Sequence, residues 1–114
     1  MKLTYITLRG EQHPLCYNLY AIEKMCDEFG GLDEMSAAVS SDNTGEQIRA
    51  VGKVLKILLD GGRAYCAEMA IDMPNPITNP SAVIDASSPE AVKAIFTAIN
   101  GDKETEIEVA SKNA

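Results

Sequence analysis

The stretch TGEQIRAVGKVLKILLDGGRAYCAEMA, residues 44–70, determines the fold that this sequence predicts. Its apolar residues recur at the three- and four-residue spacing of one helical face. This spacing stays in phase across Gly61 and Gly62, and two separate helices would share that phase only by chance. We therefore predict one long central helix of about seven turns, with close packing or a bend at the glycines.

Upstream of the long helix, an alternation of β-forming residues predicts a β-hairpin over residues 2–18. In KLTYITLR, successive side chains fall on opposite faces, and RGEQ supplies a glycine-containing turn. The run HPLCYN predicts the returning strand, with Pro14 near its start, where a missing N–H is tolerated.

The other helices are indicated by apolar periodicity and by their end signals. Asn18 is a good N-cap for the first helix, and a glycine pair ends it. Thr44 and Gln47 match a capping box at the start of the long helix. The predicted helices cover residues 19–29, 32–39, 45–70, 80–85 and 89–100, and a polar tail follows over 101–114. All 114 residues are predicted to form one domain of the α+β class, mainly helical, with the hairpin on a bundle of three to five helices.

The composition excludes some classes of function. A net charge of −7 argues against nucleic-acid binding, because such proteins neutralise phosphates with clustered cations. The one basic grouping is expected to be a solvated helix face; it consists of Arg49, Lys53, Lys56 and Arg63. No window approaches the length of a membrane span, and the first residues lack the apolar run of a signal peptide. We expect a cytoplasmic protein with reduced thiols, bound to no membrane.

One histidine and three cysteines are the right ligand types for zinc, but their spacing argues against a metal site. Only His13 and Cys16 are close in sequence, and at three apart on a strand their side chains point to opposite faces. Cys26 and Cys66 fall within apolar helix stripes, so we expect them to be buried, reduced and unligated. No nucleophile–base pair, phosphate-binding loop or calcium loop is present, so the sequence predicts no cofactor and no catalytic residue.

The last predicted helix carries the candidate partner-contact residues. They are Val92, Ile95, Phe96 and Ile99. Three alanines widen this apolar face beyond half a turn, which is wider than one small core is expected to cover. The excess favours self-association or a helix-in-groove contact with a partner. The alternative is full burial of this face against the long helix.

The order of elements resembles a known family. A strand pair leads into AIEKMCDEFGGLDEM, and a long helix ending LLDGGRAY follows. A proline-bearing loop and an amphipathic helix closed by Asn100 and Gly101 complete the pattern. This order, over about residues 2–101, is similar to that of the small tail assembly chaperones of long-tailed bacteriophages and prophages.

The resemblance implies a non-enzymatic protein of the bacterial host cytoplasm that is absent from the mature virion. Such chaperones bind the long, helical tape measure protein and help tail tube subunits to assemble around it. A translated sequence does not show whether ribosomal frameshifting adds a second domain, as it does in many members. Two alternatives stay open, namely a small regulatory binding module of the antitoxin or anti-repressor type and, behind it, a minor enzyme.

Overall fold

The computed structural model describes residues 3–85 and 87–113, with side chains described as far as Gly101. Within these ranges a two-stranded hairpin precedes the helices, as the α+β, mainly helical prediction requires. The elements are β1 (Thr4–Leu8), β2 (Glu11–Leu15), α1 (Leu19–Phe29), α2 (Leu32–Val39), α3 (Thr44–Met69), a 3₁₀ helix (Pro80–Val83) and α4 (Glu90–Asn113). Residues 2 and 114, which the predicted hairpin and tail include, lie outside the described ranges.

The hairpin is closed by a two-residue turn. Arg9 and Gly10 have φ values of 55° and 75°, the left-handed geometry that matches the natural twist of paired strands. The antiparallel register is continuous from one end of the strands to the other. Side chains alternate as the sequence predicts, with Ile6 and Leu8 buried and Tyr5 exposed.

α3 packs against the backbone of β2 through its glycine pair. A Cβ added to Gly62 would overlap the carbonyl group of Pro14, and one added to Gly61 would lie 2.6 Å from the carbonyl oxygen of Cys16. The Cys16 N–H donates to the carbonyl oxygen of Leu58 at 3.1 Å. The glycines therefore allow close packing, and α3 continues through both of them, which confirms the prediction of one long helix.

The join between the hairpin and α1 depends on Asn18. Its Oδ1 accepts a hydrogen bond from the Ala21 N–H at 2.9 Å, the N-cap bond that the sequence predicts. Its Nδ2 donates to the carbonyl oxygen of Gly61 at 3.1 Å, which ties α1 to α3. At the other end of α1, Gly30 takes a left-handed conformation, and its N–H donates a hydrogen bond to the carbonyl oxygen of Cys26 at 2.8 Å.

The cap of α3 differs from the prediction by one residue. Asn43 is the N-cap, and its Oδ1 accepts from the Glu46 N–H at 3.0 Å. Thr44 is already helical, and the Gln47 side chain donates to the carbonyl oxygen of Val39 instead of forming a capping box. Asn43 and Glu46 have the same three-residue spacing as Thr44 and Gln47, one position earlier in the chain. Asn is a preferred N-cap, so the helix starts from Asn43.

The C-terminal elements also differ from their predicted bounds. The predicted helix 80–85 is a single 3₁₀ turn over Pro80–Val83. α4 starts at Glu90 and continues to Asn113, beyond the predicted end at Asn100, so residues 101–113 of the predicted polar tail are helical. Gly101 does not adopt the left-handed conformation that ends helices, and the residues after it are mostly good helix formers.

Candidate partner-binding surface

α4 is anchored at its first turn and by its buried side. The Ser88 hydroxyl accepts a hydrogen bond from the Glu90 N–H at 3.2 Å, and the Lys93 N–H donates to the carbonyl oxygen of Pro89 at 3.1 Å. The helix contacts β1 and α3, and it contributes Ala91 and Ile95 to the hydrophobic core.

The predicted partner-contact residues divide between the core and the surface. Ile95 is 2% exposed and Ile99 packs against the core, whereas Val92 is 40% exposed and Phe96 is 47% exposed. At 100° per residue, Val92 and Phe96 lie on the same side of the helix. Together, Val92 and Phe96 are called the α4 surface below. Ile95 is not accessible to a partner in this structure.

The division follows from the width of the apolar face. The core covers the side of α4 that carries Ala91 and Ile95. The apolar face of α4 is wider than this covered side. Two large apolar side chains four positions apart thus remain half-exposed on one helix. This pair is a candidate contact for a partner, although other apolar side chains, such as Leu19 and Ile48, are exposed as well.

The basic stripe of α3 is partly neutralised. Lys53 Nζ lies 2.7 Å from a carboxylate oxygen of Glu28, and Lys56 Nζ lies 2.7 Å from one of Asp60. Arg49 is exposed and has no ion-pair partner among the described side chains. All three cations line a cavity of about 430 Å³ between α3 and the 3₁₀ helix. The sequence reasoning missed this cavity, because segments far apart in the chain form it.

The fourth cation of the stripe has a structural role. Arg63 is partly buried, and its Nη1 donates to the carbonyl oxygen of Pro74 at 2.8 Å, so it does not belong to a solvated face. Arg9 Nη2 donates to the next carbonyl oxygen, that of Asn75, at 3.0 Å. The two arginines hold the loop after α3 against the hairpin and the helix.

The three thiols differ in their burial. Cys66 is 1% exposed, as predicted, and burial raises the pKa of its thiol. Cys16 is also buried, whereas Cys26 is exposed, so the prediction of burial for Cys26 is wrong. The buried side of α1 is centred on Ala21 and Met25, and Cys26 lies 100° away from Met25 around the helix. All three cysteines are reduced, since none of them forms a disulfide bond.

His13 is a buried polar side chain. It is 3% exposed, its Nε2 forms no hydrogen bond, and this atom lies 3.9 Å from the Glu11 carboxylate. Burial lowers the pKa of the His13 imidazole, and the nearby Glu11 carboxylate opposes this effect. Across the described residues, no three His, Cys, Asp or Glu side chains are grouped closely enough to hold a metal ion.

The described helices include none with both the length and the apolar character needed to cross a membrane. Comparison with protein-family models, with curated proteins and with solved structures finds no match to this chain.

Proposed function

We propose that this protein is a non-enzymatic tail assembly chaperone of a bacteriophage or prophage. It binds the tape measure protein in the cytoplasm of the host, assists the assembly of tail tube protein around it, and is absent from the mature virion. The family resemblance of the sequence supports the proposal. The structural observation that carries it is the α4 surface, where Val92 and Phe96 stay half-exposed beside a packed core.

The α4 surface suits a helical partner. Each of its two side chains has roughly half of its area left to bury, which corresponds to about 1 kcal/mol per residue. Two anchors four positions apart on a helix match the spacing used in helix-in-groove recognition. A long helical partner with many apolar segments offers repeated sites for such a contact.

The charge of the protein supports the same role. A net charge of −7 makes protein molecules repel one another, so it opposes aggregation of a complex whose partner has exposed apolar segments. The cations of α3 are an exception to the acidic surface, and Arg49 in particular is available to an acidic group of a partner.

The test is co-expression with the tape measure protein encoded near the same gene. Three forms of the chaperone are compared: the native chain, Phe96→Asp, and Ser36→Asp as the matched control. Ser36 is exposed on α2, so its substitution adds the same charge away from the α4 surface. We expect the native chain and Ser36→Asp to keep the tape measure protein in the soluble fraction and Phe96→Asp to lose most of this effect.

Circular dichroism of each purified chaperone establishes that the helices remain folded. If folded Phe96→Asp keeps as much tape measure protein soluble as the native chain, the α4 surface is not the contact. A further variant, Lys53→Glu, examines the cation-lined cavity. If only Lys53→Glu abolishes the effect, recognition depends on that cavity. If the native chain keeps no tape measure protein soluble, the proposed function is wrong.

A further inference from the structure

A second cavity adjoins the cavity beside the 3₁₀ helix. It has a volume of about 370 Å³ and lies between α2 and α3, where its apolar lining includes Phe29, Ala37 and Ala38. Arg49 and Lys53 line both cavities, so the two cavities meet at these side chains. Together the two cavities form a continuous depression across α3, called the Arg49 groove.

The walls of the Arg49 groove are held by packing and by a hydrogen bond. On one side Pro80 is buried, and a Cβ added to Gly52 would lie 2.6 Å from the Ser81 hydroxyl oxygen, so the 3₁₀ helix lies directly against α3. On the other side the Gln47 side chain joins α3 to the end of α2 through the carbonyl oxygen of Val39. The groove is therefore a fixed feature of the fold.

Most charged groups in the groove already have partners. Lys53 and Lys56 are each paired with a carboxylate, and the Glu46 carboxylate accepts a hydrogen bond from the Ser41 hydroxyl. Arg49 is exposed and has no ion-pair partner among the described side chains. Its guanidinium presents a planar fork of N–H donors that fits a carboxylate with two parallel hydrogen bonds. The groove thus has one cation available for an added negative charge.

Apolar side chains lie on both sides of Arg49. Ile48, which is 63% exposed, and Ile57 line the first cavity, whereas Phe29 and Ala37 line the second. A partner that covers this apolar surface also removes water from around the guanidinium, which strengthens its pairing with a carboxylate. Arginines in such surroundings are enriched among the residues that dominate protein–protein binding.

We propose that the Arg49 groove binds a helical segment of another protein in which one carboxylate lies between two apolar side chains on the same face. The carboxylate pairs with the Arg49 guanidinium, and the apolar side chains enter the two cavities. The α4 residues do not line either cavity, so this inference does not rest on the proposed function.

The surroundings of Arg49 favour such a segment over other anions. Ile48, Arg49 and Lys53 are themselves exposed, which suits a chain segment lying across the surface better than an enclosed small molecule. Glu28 and Asp60 stand beside the two lysines. Their charges disfavour the dense negative charge of a nucleic acid, whereas a single carboxylate needs only Arg49.

The test is an NMR titration of the isotope-labelled full chain with a capped helical peptide. The peptide is built from alanine and glutamine, and it carries one glutamate with a leucine four positions to either side, which places all three on one face. We expect a dissociation constant of about 0.1–1 mM, the weak affinity of a small contact, with shifts in the amide signals of Ala37, Ile48 and Arg49. Absence of these shifts at about 2 mM peptide overturns the proposal.

Two altered peptides separate the charged contact from the apolar contacts. A glutamine in place of the glutamate is expected to weaken binding at least about fivefold, because it removes the charged pair. Alanines in place of both leucines are expected to weaken binding at least about tenfold, because the two cavities then stay unfilled. Either altered peptide binding as tightly as the original overturns the proposal.

Variants of the chain assign the contact to Arg49. Arg49→Gln is expected to weaken binding of the glutamate peptide at least about fivefold. The matched control is Lys24→Gln, which removes an exposed cation of α1 outside the groove and is expected to change the affinity by less than about twofold. Arg49→Glu is expected to bind a peptide with lysine in place of the glutamate more tightly than the native chain does. Equal weakening by Arg49→Gln and Lys24→Gln overturns the proposal.

Other occupants of the groove give different results. Inorganic pyrophosphate and a short oligothymidylate are titrated separately, and tighter binding of either one at Arg49 than of the peptide assigns the groove to phosphates. Sedimentation equilibrium of the chain alone detects self-association, and a dimer that Arg49→Gln dissociates assigns the groove to a second copy. Each of these results overturns the proposal.

Discussion

α3 and α4 are both long amphipathic helices that pack beside the hairpin, but they do so differently. α3 brings two glycines against the backbone of β2, and the side chains on its inner face are fully buried. α4 buries Ala91 and Ile95 and leaves Val92 and Phe96 half-exposed. The difference indicates that close packing of α3 determines the architecture, whereas α4 leaves part of its apolar face exposed to solvent.

The largest effect is expected at Gly62, where α3 packs closely against β2. In Gly62→Ala, the added methyl group overlaps the Pro14 carbonyl, so we expect a loss of about 3 kcal/mol or more in the free energy of unfolding. Urea denaturation measures this loss. Gly45→Ala is the control, since it adds a methyl group in the exposed first turn of the same helix and is expected to change stability by less than about 0.5 kcal/mol. Equal stability of the two variants would show that α3 and β2 are not in close contact.

Truncation of one apolar side chain on each helix measures the same difference in packing. Leu55 is fully buried, and Leu55→Ala is expected to cost about 2–5 kcal/mol. Phe96→Ala is expected to cost less than about 1 kcal/mol, because Phe96 is already half-exposed. The measurement is again urea denaturation at neutral pH. A cost for Phe96→Ala as large as that for Leu55→Ala would contradict the exposed position of the α4 surface.

Asn18 and Asn43 are both N-caps, but only Asn18 also connects two elements. Asn18→Ala removes the cap of α1 and the bond to Gly61, so we expect a loss of about 2 kcal/mol. Asn43→Ala removes only the bond to Glu46 at the start of α3 and should cost about 1 kcal/mol. Thermal unfolding followed by circular dichroism measures both losses. A larger loss for Asn43→Ala would mean that the bond to Gly61 does not stabilise the fold.

His13 makes the hairpin sensitive to pH. Burial keeps its pKa in the folded protein below the ordinary value of 6.5, so the unfolded chain takes up a proton first as the pH falls. The contribution of neutral His13 to stability is therefore complete above pH 6.5 and decreases below it, toward the lower folded pKa. Urea denaturation between about pH 7 and about pH 5 detects this decrease before most carboxylates titrate. His13→Leu is expected to remove the decrease, and an unchanged pH dependence would assign it to other groups.

The smallest effect is expected at Gly101, within α4. Apart from the backbone of α4 itself and the adjacent residues, no described heavy atom lies within 4 Å of a Cβ added at Gly101, and the residue has helical backbone geometry. Gly101→Ala is therefore expected to stabilise the protein by about 0.5–1 kcal/mol, with a small gain in helical circular dichroism. If α4 instead ended at Asn100 with a glycine cap, the same substitution would destabilise the protein.

Local patterns predicted most of the fold. The bounds of α1 and α2, the hairpin and the continuity of α3 follow from side-chain periodicity and end signals, which depend on neighbouring residues alone. The end of α4 was predicted wrongly. The Asn100-Gly101 pair ends a helix only if the glycine adopts the left-handed backbone conformation. The exposure of Cys26 depends on which residues face α3, and periodicity alone does not determine that.

The sequence left two outcomes open for α4. Its apolar face, wider than half a turn, allowed either excess exposed surface or full burial against the long helix, and in the structure Val92 and Phe96 are exposed whereas Ile95 is buried. The burial of Ile95 and the cavity beside Arg49 depend on how segments distant in the chain pack together, and no local signal reports this. The same holds for the contact of Gly62 with Pro14, since the sequence indicated close packing there but not its partner.

Arg9 and Arg63 both hold the loop after α3. These two contacts bear on the order in which the chain folds. Arg63 reaches a carbonyl 11 positions away, whereas Arg9 reaches one 66 positions away. The entropy lost on closing a loop grows with its length, so we expect the Arg63 contact to form first and the Arg9 contact to follow docking of the hairpin. On the ribosome, the hairpin emerges before the part of α3 that covers β2. A nascent chain that ends before Gly62 therefore has two open strand edges, and it pairs with foreign strands more readily than the finished protein.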